Sequence, residues 1–374
     1  MNRVEQHLAG KLREREIAGN LRRLTKHSAP VDFFSNDYLG LVTNGTLAAL
    51  MHPSPIDAHA TGSTGSRLLS GNSAQAEALE HIIASFHKAE AALLFNSGYD
   101  ANVGLLASIP ARNTTILSDE LCHASLIDGI RLSLSSRRYK FRHNDTNDLE
   151  DKLKKYKEIG PIVVVVESVY SMDGDMAPLT DIVQLCERYD AQLVVDEAHA
   201  TGVIGVHGEG LVCKSGLQDR VFARVHTFGK ALGCHGAAVV GNSLLKQYLI
   251  NFARSFIYTT ALPGHSVHAA HCAYQYLSGH SFTNEPLHKL IAYFRDRIRT
   301  GNDTWKDSLS PIQALVVGDN KRSKQLAIKL QQAGLQVNPI LHPSVPLGME
   351  RLRICLHTFN TKQQVDLLFE TLER

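Results

Sequence analysis

Asp196 closes the apolar run Leu193-Val194-Val195-Asp196, and His199 follows three residues later. A carboxylate at the mouth of a buried strand is costly unless donors or a cation meet it. Two kinds of partner would serve. The N–H groups of a following helix would make Asp196 an ordinary cap. A pyridinium nitrogen would instead be kept protonated by it, and a protonated ring takes up electrons from a substrate carbanion.

Lys230 stands 34 residues further on, in Thr227-Phe228-Gly229-Lys230-Ala231-Leu232-Gly233. Alone it reads as a surface-loop lysine. Among small residues and beside a cationic imine, desolvation would lower its pKa and make the amine nucleophilic toward an aldehyde. Thr227 suits a hydrogen bond to phosphate. Asn96-Ser97-Gly98-Tyr99 ends an apolar strand and opens a helix, so Gly98 and Tyr99 offer N–H groups to an anion. His123 also opens a helix after a strand; its ring either caps that helix or stacks on a flat heterocycle. Each signal is weak separately. Together they describe a site for pyridoxal 5'-phosphate held on Lys230 as a Schiff base.

The elements that must position these residues alternate. Ala92–Phe95, Thr114–Asp119, Pro161–Ser168 and Ala191–His199 read as strands, the last two nearly all apolar, as strands covered on both faces should be. Residues 97–109, 123–133 and 178–190 carry helical spacing, as do 74–88, while 224–233 and 236–241 suggest two further strands around a tight loop. The glycine- and serine-rich stretch 61–71 is a loop. Such alternation predicts an α/β fold with a mostly parallel sheet, its ligand beyond the carboxyl ends of the strands. We divide the chain into an N-terminal arm at 1–45, helical and amphipathic to about residue 30, a large cofactor-binding domain at 46–280 and a smaller α+β domain at 281–374.

Composition excludes several alternatives. Net charge is +2, and the basic runs RRLTKH and SSRRYKFRH are too short for a nucleic-acid face; both read as solvated helix or loop. Six cysteines lie scattered without metal or disulfide spacing, which suits reduced thiols. The charged N-terminus lacks the apolar core of a signal peptide, and no run approaches the roughly 18 apolar residues of a membrane span. We therefore expect a soluble, cytoplasmic protein. His265, His268 and His271 are spaced to share a helix side, but without a supporting carboxylate or cysteine pattern they read as packed histidines rather than metal ligands.

The segments SNDYLGL, GSTGSRLLSG, NSGYDAN, HASLIDG, FRHND, ESVYSMDGD, VVDEAHATGVIG, HTFGKALG, IYTTALP and RLRICL span nearly the whole chain and resemble the α-oxoamine synthases. These are fold type I pyridoxal-phosphate enzymes that join an amino acid to an acyl-CoA with loss of carbon dioxide. The resemblance implies that Lys230 carries the cofactor, that Asp196 pairs with its ring nitrogen and that His199 hydrogen-bonds its phenolic oxygen. It places His123 on the ring, Gly98, Tyr99 and Thr227 on the phosphate, and Ser171 near the cofactor. Thr259 or Thr260 would reach the phosphate of a neighbouring subunit, implying a homodimer with shared sites. Arg353 would bind the amino acid's carboxylate, and Arg22, Asn36 and Ser344 would line the substrate site. Within the family, SNDYLGL and GSTGSRLLSG look most like the branch that joins L-alanine to pimeloyl-CoA or a pimeloyl carrier protein in biotin synthesis. A glycine C-acetyltransferase type of condensation is the alternative. Asn72, Cys122 and His265 replace a histidine, an asparagine and a proline that are common there.

Overall fold

The computed structural model describes residues 1–24, 26, 29–51, 61–280, 282–298 and 304–373. Along the chain run α1 (Arg3–Ile17), β1 (Val31–Asp32), α2 (Thr46–Met51), α3 (Ala74–Phe86), β2 (Ala91–Phe95), α4 (Gly98–Ser108), β3 (Thr115–Asp119), α5 (Ala124–Leu132), β4 (Arg137–Phe141) and α6 (Thr146–Tyr156). Then come β5 (Ile162–Glu167), α7 (Leu179–Arg188), β6 (Ala191–Asp196), α8 (Leu211–Lys214), β7 (Ala223–Thr227), β8 (Ala237–Gly241), α9 (Ser243–Phe252), α10 (Arg254–Ile257) and α11 (Gly264–Ser278). The remainder is α12 (Glu285–Arg297), β9 (Ile312–Val316), α13 (Asn320–Gln332), β10 (Leu335–Gln336), β11 (Asn338–Ile340), β12 (Arg351–Cys355) and α14 (Lys362–Glu373). The chain forms two compact units. The larger holds Asn36–Ser171 and Met176–Pro286; the other holds Met1–Ser35, Met172–Asp175 and Leu287–Arg374.

The larger unit is built on a seven-stranded sheet ordered β2-β8-β7-β6-β5-β3-β4, in which β8 alone runs against its neighbours. All six residues of β5 are buried. Its side chains alternate between two apolar clusters: Val164 and Val166 join Leu153, Ile182 and Leu193, whereas Val163 and Val165 join Leu105, Leu126 and Val225. The period of two explains why this strand is apolar throughout: both faces are covered. In the parallel register Glu167 lies beside Asp196, so both strands deliver a carboxylate at the same level.

Two expectations need correction. SSRRYKFRH is not a solvated loop or helix: Arg137–Phe141 form β4, an edge strand parallel to β3, with Arg138, Tyr139 and Lys140 exposed and Phe141 buried. The open ladder of β3 supplies the pairing, and the charges stay in water. The N-terminal helix stops at Ile17, not near residue 30, and buries none of its residues. Gly19 at φ +67° ends it, with its N–H bonded to the Glu16 carbonyl and the Asn20 N–H to that of Arg15. That pair of bonds is a Schellman stop, for which glycine is the favoured residue.

In the second unit β11, β12 and β9 make an antiparallel sheet, and β1 pairs in parallel with β10. Arg351 on β12 forms a buried ion pair with Asp173. Among the described residues no helix is long and apolar enough to cross a membrane.

Helices α4 and α5 lie close because Gly129 has no side chain: a Cβ there would sit 2.8 Å from the Asn102 carbonyl oxygen and 3.1 Å from Val103 Cα. Both are backbone, so relief requires moving a helix. Gly129→Ala should therefore destabilise the protein by about 1–3 kcal/mol, read from urea unfolding. An unchanged midpoint would show that the two helices separate freely.

Candidate active site

The loops leaving β6 and β7 carry the reactive residues. Lys230 follows β7 in a folded-back connection closed by bonds from the Gly233 N–H to the Lys230 carbonyl and from the Cys234 N–H to that of Phe228. The loop after β6 can approach it only because both are lined by small residues. Gly202 has φ +79°, and a Cβ on it would meet Ala231 Cβ at 2.9 Å. The approach leaves the Lys230 amine 2.8 Å from His199 Nε2. His199 Nδ1 in turn lies 2.8 Å from the hydroxyl of Tyr38, which donates to Asn36 Oδ1 at 3.0 Å. Asn36, Tyr38, His199 and Lys230 thus form one row.

Asp196 is buried, and both its oxygens are met. Oδ1 accepts from the Ala198 N–H at 2.9 Å, so it caps the following turn; Oδ2 accepts from Asn102 Nδ2 at 2.7 Å. Asn102 also donates to Ser125 Oγ, which lies 2.8 Å from His123 Nδ1. His123 caps α5 by accepting from the Ser125 N–H. The residue stays exposed while it does so, so capping does not bury the ring. Its backbone N–H donates to Glu167 Oε1 at 2.6 Å. The pKa of His123 lies below the ordinary imidazole value, chiefly because its inner edge is withdrawn from water, and Asp196 pulls only partly the other way. Burial, reinforced by Asp196, pushes the Glu167 carboxyl up to about 8.

Gly98 and Thr227 form the third part. A Cβ on Gly98 would lie 3.2 Å from Thr227 Oγ1, tighter than ordinary contact, so the glycine eases the approach of the start of α4 to that hydroxyl. Tyr99 is half exposed and its hydroxyl donates to Asp128. Ser171 is buried in the same unit. Thr259 Oγ1 and the Thr260 carbonyl both receive Asn96 Nδ2, each at 2.8 Å, which ties this segment to the end of β2.

The remaining predicted residues belong to the other unit. Arg22 donates to Ser344 Oγ at 2.9 Å, and both line a cleft of about 650 Å³ with Asn20, Asn338 and His342. Arg353 is buried on β12, its guanidinium 2.9 Å from Cys355 Sγ. Of the three departures, Asn72 accepts from Arg67 Nε and donates to Glu77, joining the 61–71 loop to α3. Cys122 is buried, its thiol directed at the Val165 carbonyl and held protonated by that burial. His265, His268 and His271 all lie on α11, where His268 Nε2 is 3.6 Å from Cys272 Sγ.

Sequence reasoning missed Tyr38, Asn102, Ser125 and Glu167. Glu167 carried a usable signal: it ends an apolar strand as Asp196 does. Asn102 and Ser125 carried none, since one polar residue on an apolar helix face looks like many others.

The family model described as aminotransferase class I and II matches residues 29–372. An 8-amino-7-oxononanoate synthase of Emericella nidulans is 44% identical over 391 residues, covering 96% of this chain and 93% of the relative. A Sphingomonas wittichii serine palmitoyltransferase structure superposes with a TM-score of 0.86 at 28% identity, over 98% of this chain and 96% of that one. An 8-amino-7-oxononanoate synthase from Francisella tularensis does so with a TM-score of 0.77 at 28% identity, over 91% and 96%.

Glu167 makes stability depend on pH with a defined sign. Unfolded, it ionises above its ordinary 4.5; folded, it keeps its proton to about 8. Its contribution is complete below the lower value and is lost as pH rises through the upper one. Glu167→Gln removes this dependence while keeping an acceptor for His123. Urea unfolding at about pH 5 and about pH 9 should show the wild type losing more stability than the variant. Parallel losses would mean that Glu167 is ionised in the folded protein.

Proposed function

We propose, because the chain belongs to the aminotransferase class I and II family and to its α-oxoamine synthases, that it condenses L-alanine with a pimeloyl thioester. Carbon dioxide and the thiol leave, and 8-amino-7-oxononanoate is formed for biotin synthesis. The observation that carries this reading is the Lys230 amine 2.8 Å from His199, at the same end of the sheet as the buried Asp196. The name of the Emericella nidulans relative, 44% identical, supports the choice of product.

The protein is an enzyme of the pyridoxal-phosphate class, and its residues fit that cofactor by their chemistry. The glycine-narrowed approach of α4 to Thr227 offers helix N–H groups and a hydroxyl to a phosphate. The Asp196 carboxylate offers a buried negative charge to a ring nitrogen, and Lys230 an amine to an aldehyde. When bound, pyridoxal phosphate supplies that aldehyde and a protonated ring that stabilises negative charge at the substrate's Cα.

The chain's own residues do the rest. Gly98, Tyr99 and Thr227 hold the phosphate, with Ser171 beside the cofactor. Asp196 keeps a proton on the ring nitrogen, and His123 covers the ring face. Lys230 holds the cofactor between turnovers and, once freed as a neutral amine, takes the proton from Cα. His199 orients that amine and the phenolic oxygen. Arg353 clamps the amino acid's carboxylate through paired donors, and Arg22, Asn36 and Ser344 line the substrate site. Thr259 or Thr260 completes the site of a second copy, so the working form is a homodimer, which we place in the cytoplasm as a soluble enzyme. The arm at 1–45 and the domain at 281–374 contribute to substrate binding, while 46–280 holds the cofactor.

Lys230→Ala should abolish the yellow chromophore that the wild type retains through gel filtration. Arg353→Ala should keep the colour but raise KM for the amino acid about 10–100-fold, the loss of a charged hydrogen-bond pair. Thiol release from alanine, glycine and serine against short and long acyl thioesters identifies the substrates. A colourless wild type defeats the cofactor assignment, and preference for glycine with acetyl-CoA defeats the product.

A further inference from the structure

Asn102 is 2% exposed and Ser125 1%, and neither has a part in the reaction described above. Asn102 Nδ2 lies 2.7 Å from Asp196 Oδ2 and 2.9 Å from Ser125 Oγ. An amide nitrogen only donates. Turning the amide over would set Oδ1 against the carboxylate, so its orientation is dictated by charge. Ser125 Oγ therefore accepts from Asn102, and its single proton is left for His123 Nδ1 at 2.8 Å. The Ser125 backbone N–H is directed at the same nitrogen, 3.2 Å away. Two donors aimed at one ring nitrogen exclude a proton from it.

We infer that Asn102 and Ser125 are positioning residues that fix the proton order of the site, holding His123 as the neutral tautomer protonated on Nε2. The order spreads outward from Asn102, which donates to Asp196 on one side and to Ser125 on the other, and Ser125 donates to Nδ1. The charged groups around His123 compete over its proton. Asp196 from β6 and Asp128 from α5 favour the imidazolium, Lys230 after β7 opposes it, and withdrawal from water outweighs them. Glu167 from β5 keeps its own proton and binds the His123 backbone, and Tyr99 occupies Asp128. The consequence rests on the proposed function. A neutral imidazole over a protonated ring leaves the ring's charge unopposed, whereas an imidazolium would drive the ring proton off.

The test is nitrogen NMR on protein labelled with ¹⁵N-histidine, with and without pyridoxal phosphate, His123 being assigned by its absence in His123→Asn. The wild type should show His123 neutral and protonated on Nε2 at pH 7. Ser125→Ala removes one of the two donors from Nδ1, and Asn102→Ala lets Ser125 Oγ turn and accept there, so in both the midpoint should rise by about one pH unit, tenfold in proton affinity. The acid limb of kcat/KM should move up with it, and Ser125→Thr should restore both. An imidazolium or an Nδ1-protonated ring in the wild type overturns the inference, as does wild-type titration in Ser125→Ala. The tautomer is read without cofactor. A protein that binds no pyridoxal phosphate would thus defeat the functional reading while leaving this one measurable.

Discussion

Negative charge delivered to the end of a buried strand has to be answered on the spot, and three neighbouring strands of this sheet face that demand. Asp119, Glu167 and Asp196 end β3, β5 and β6, and all three are buried. Each is answered differently. Asp119 accepts from the backbone of Leu121 and Asn144 and from His143. Glu167 keeps its proton to about pH 8, chiefly because burial disfavours its charge, with its register partner Asp196 adding to the effect. Asp196 accepts from Asn102 and the Ala198 N–H.

Close approach is the second requirement, and it is met by leaving side chains out. Gly98 lets α4 reach Thr227, Gly202 lets the His199 loop reach Ala231, and Gly129 lets α5 rest on α4. These glycines touch no substrate, yet the Lys230–His199 contact and the Asn102–Ser125 bond depend on the spacings they allow. The same logic continues one layer down. Gly210 leaves room for Glu197, whose carboxyl burial pushes up to about 7 although the buried Arg224 pulls it the other way.

Much of this was legible in the sequence because burial leaves periodic marks. An unbroken apolar run such as Ile162–Val166 announces a strand covered on both faces, and the carboxylate that closes it marks where that cover ends. Lys230 was legible from its small neighbours, which the close loops require. Arg137–Phe141 was not, since an edge strand is specified by the ladder beside it rather than by its own residues. Asn102 and Ser125 were not either: their meaning lies in which atoms they reach, 94 and 2 residues away, and spacing along a chain does not encode that.

The edge strand β4 has a consequence for the life of the protein outside its chemistry. A sheet edge is an unfilled template that another chain can extend into an aggregate, and charged side chains are a usual deterrent. Arg137, Arg138 and Lys140 load β4 with positive charge. An approaching copy of the same strand would bring three more. The opposite edge, β2, has no charge and buries Ala92–Phe95, with α3 packed against it. One border of the sheet is thus guarded by repulsion and the other by cover.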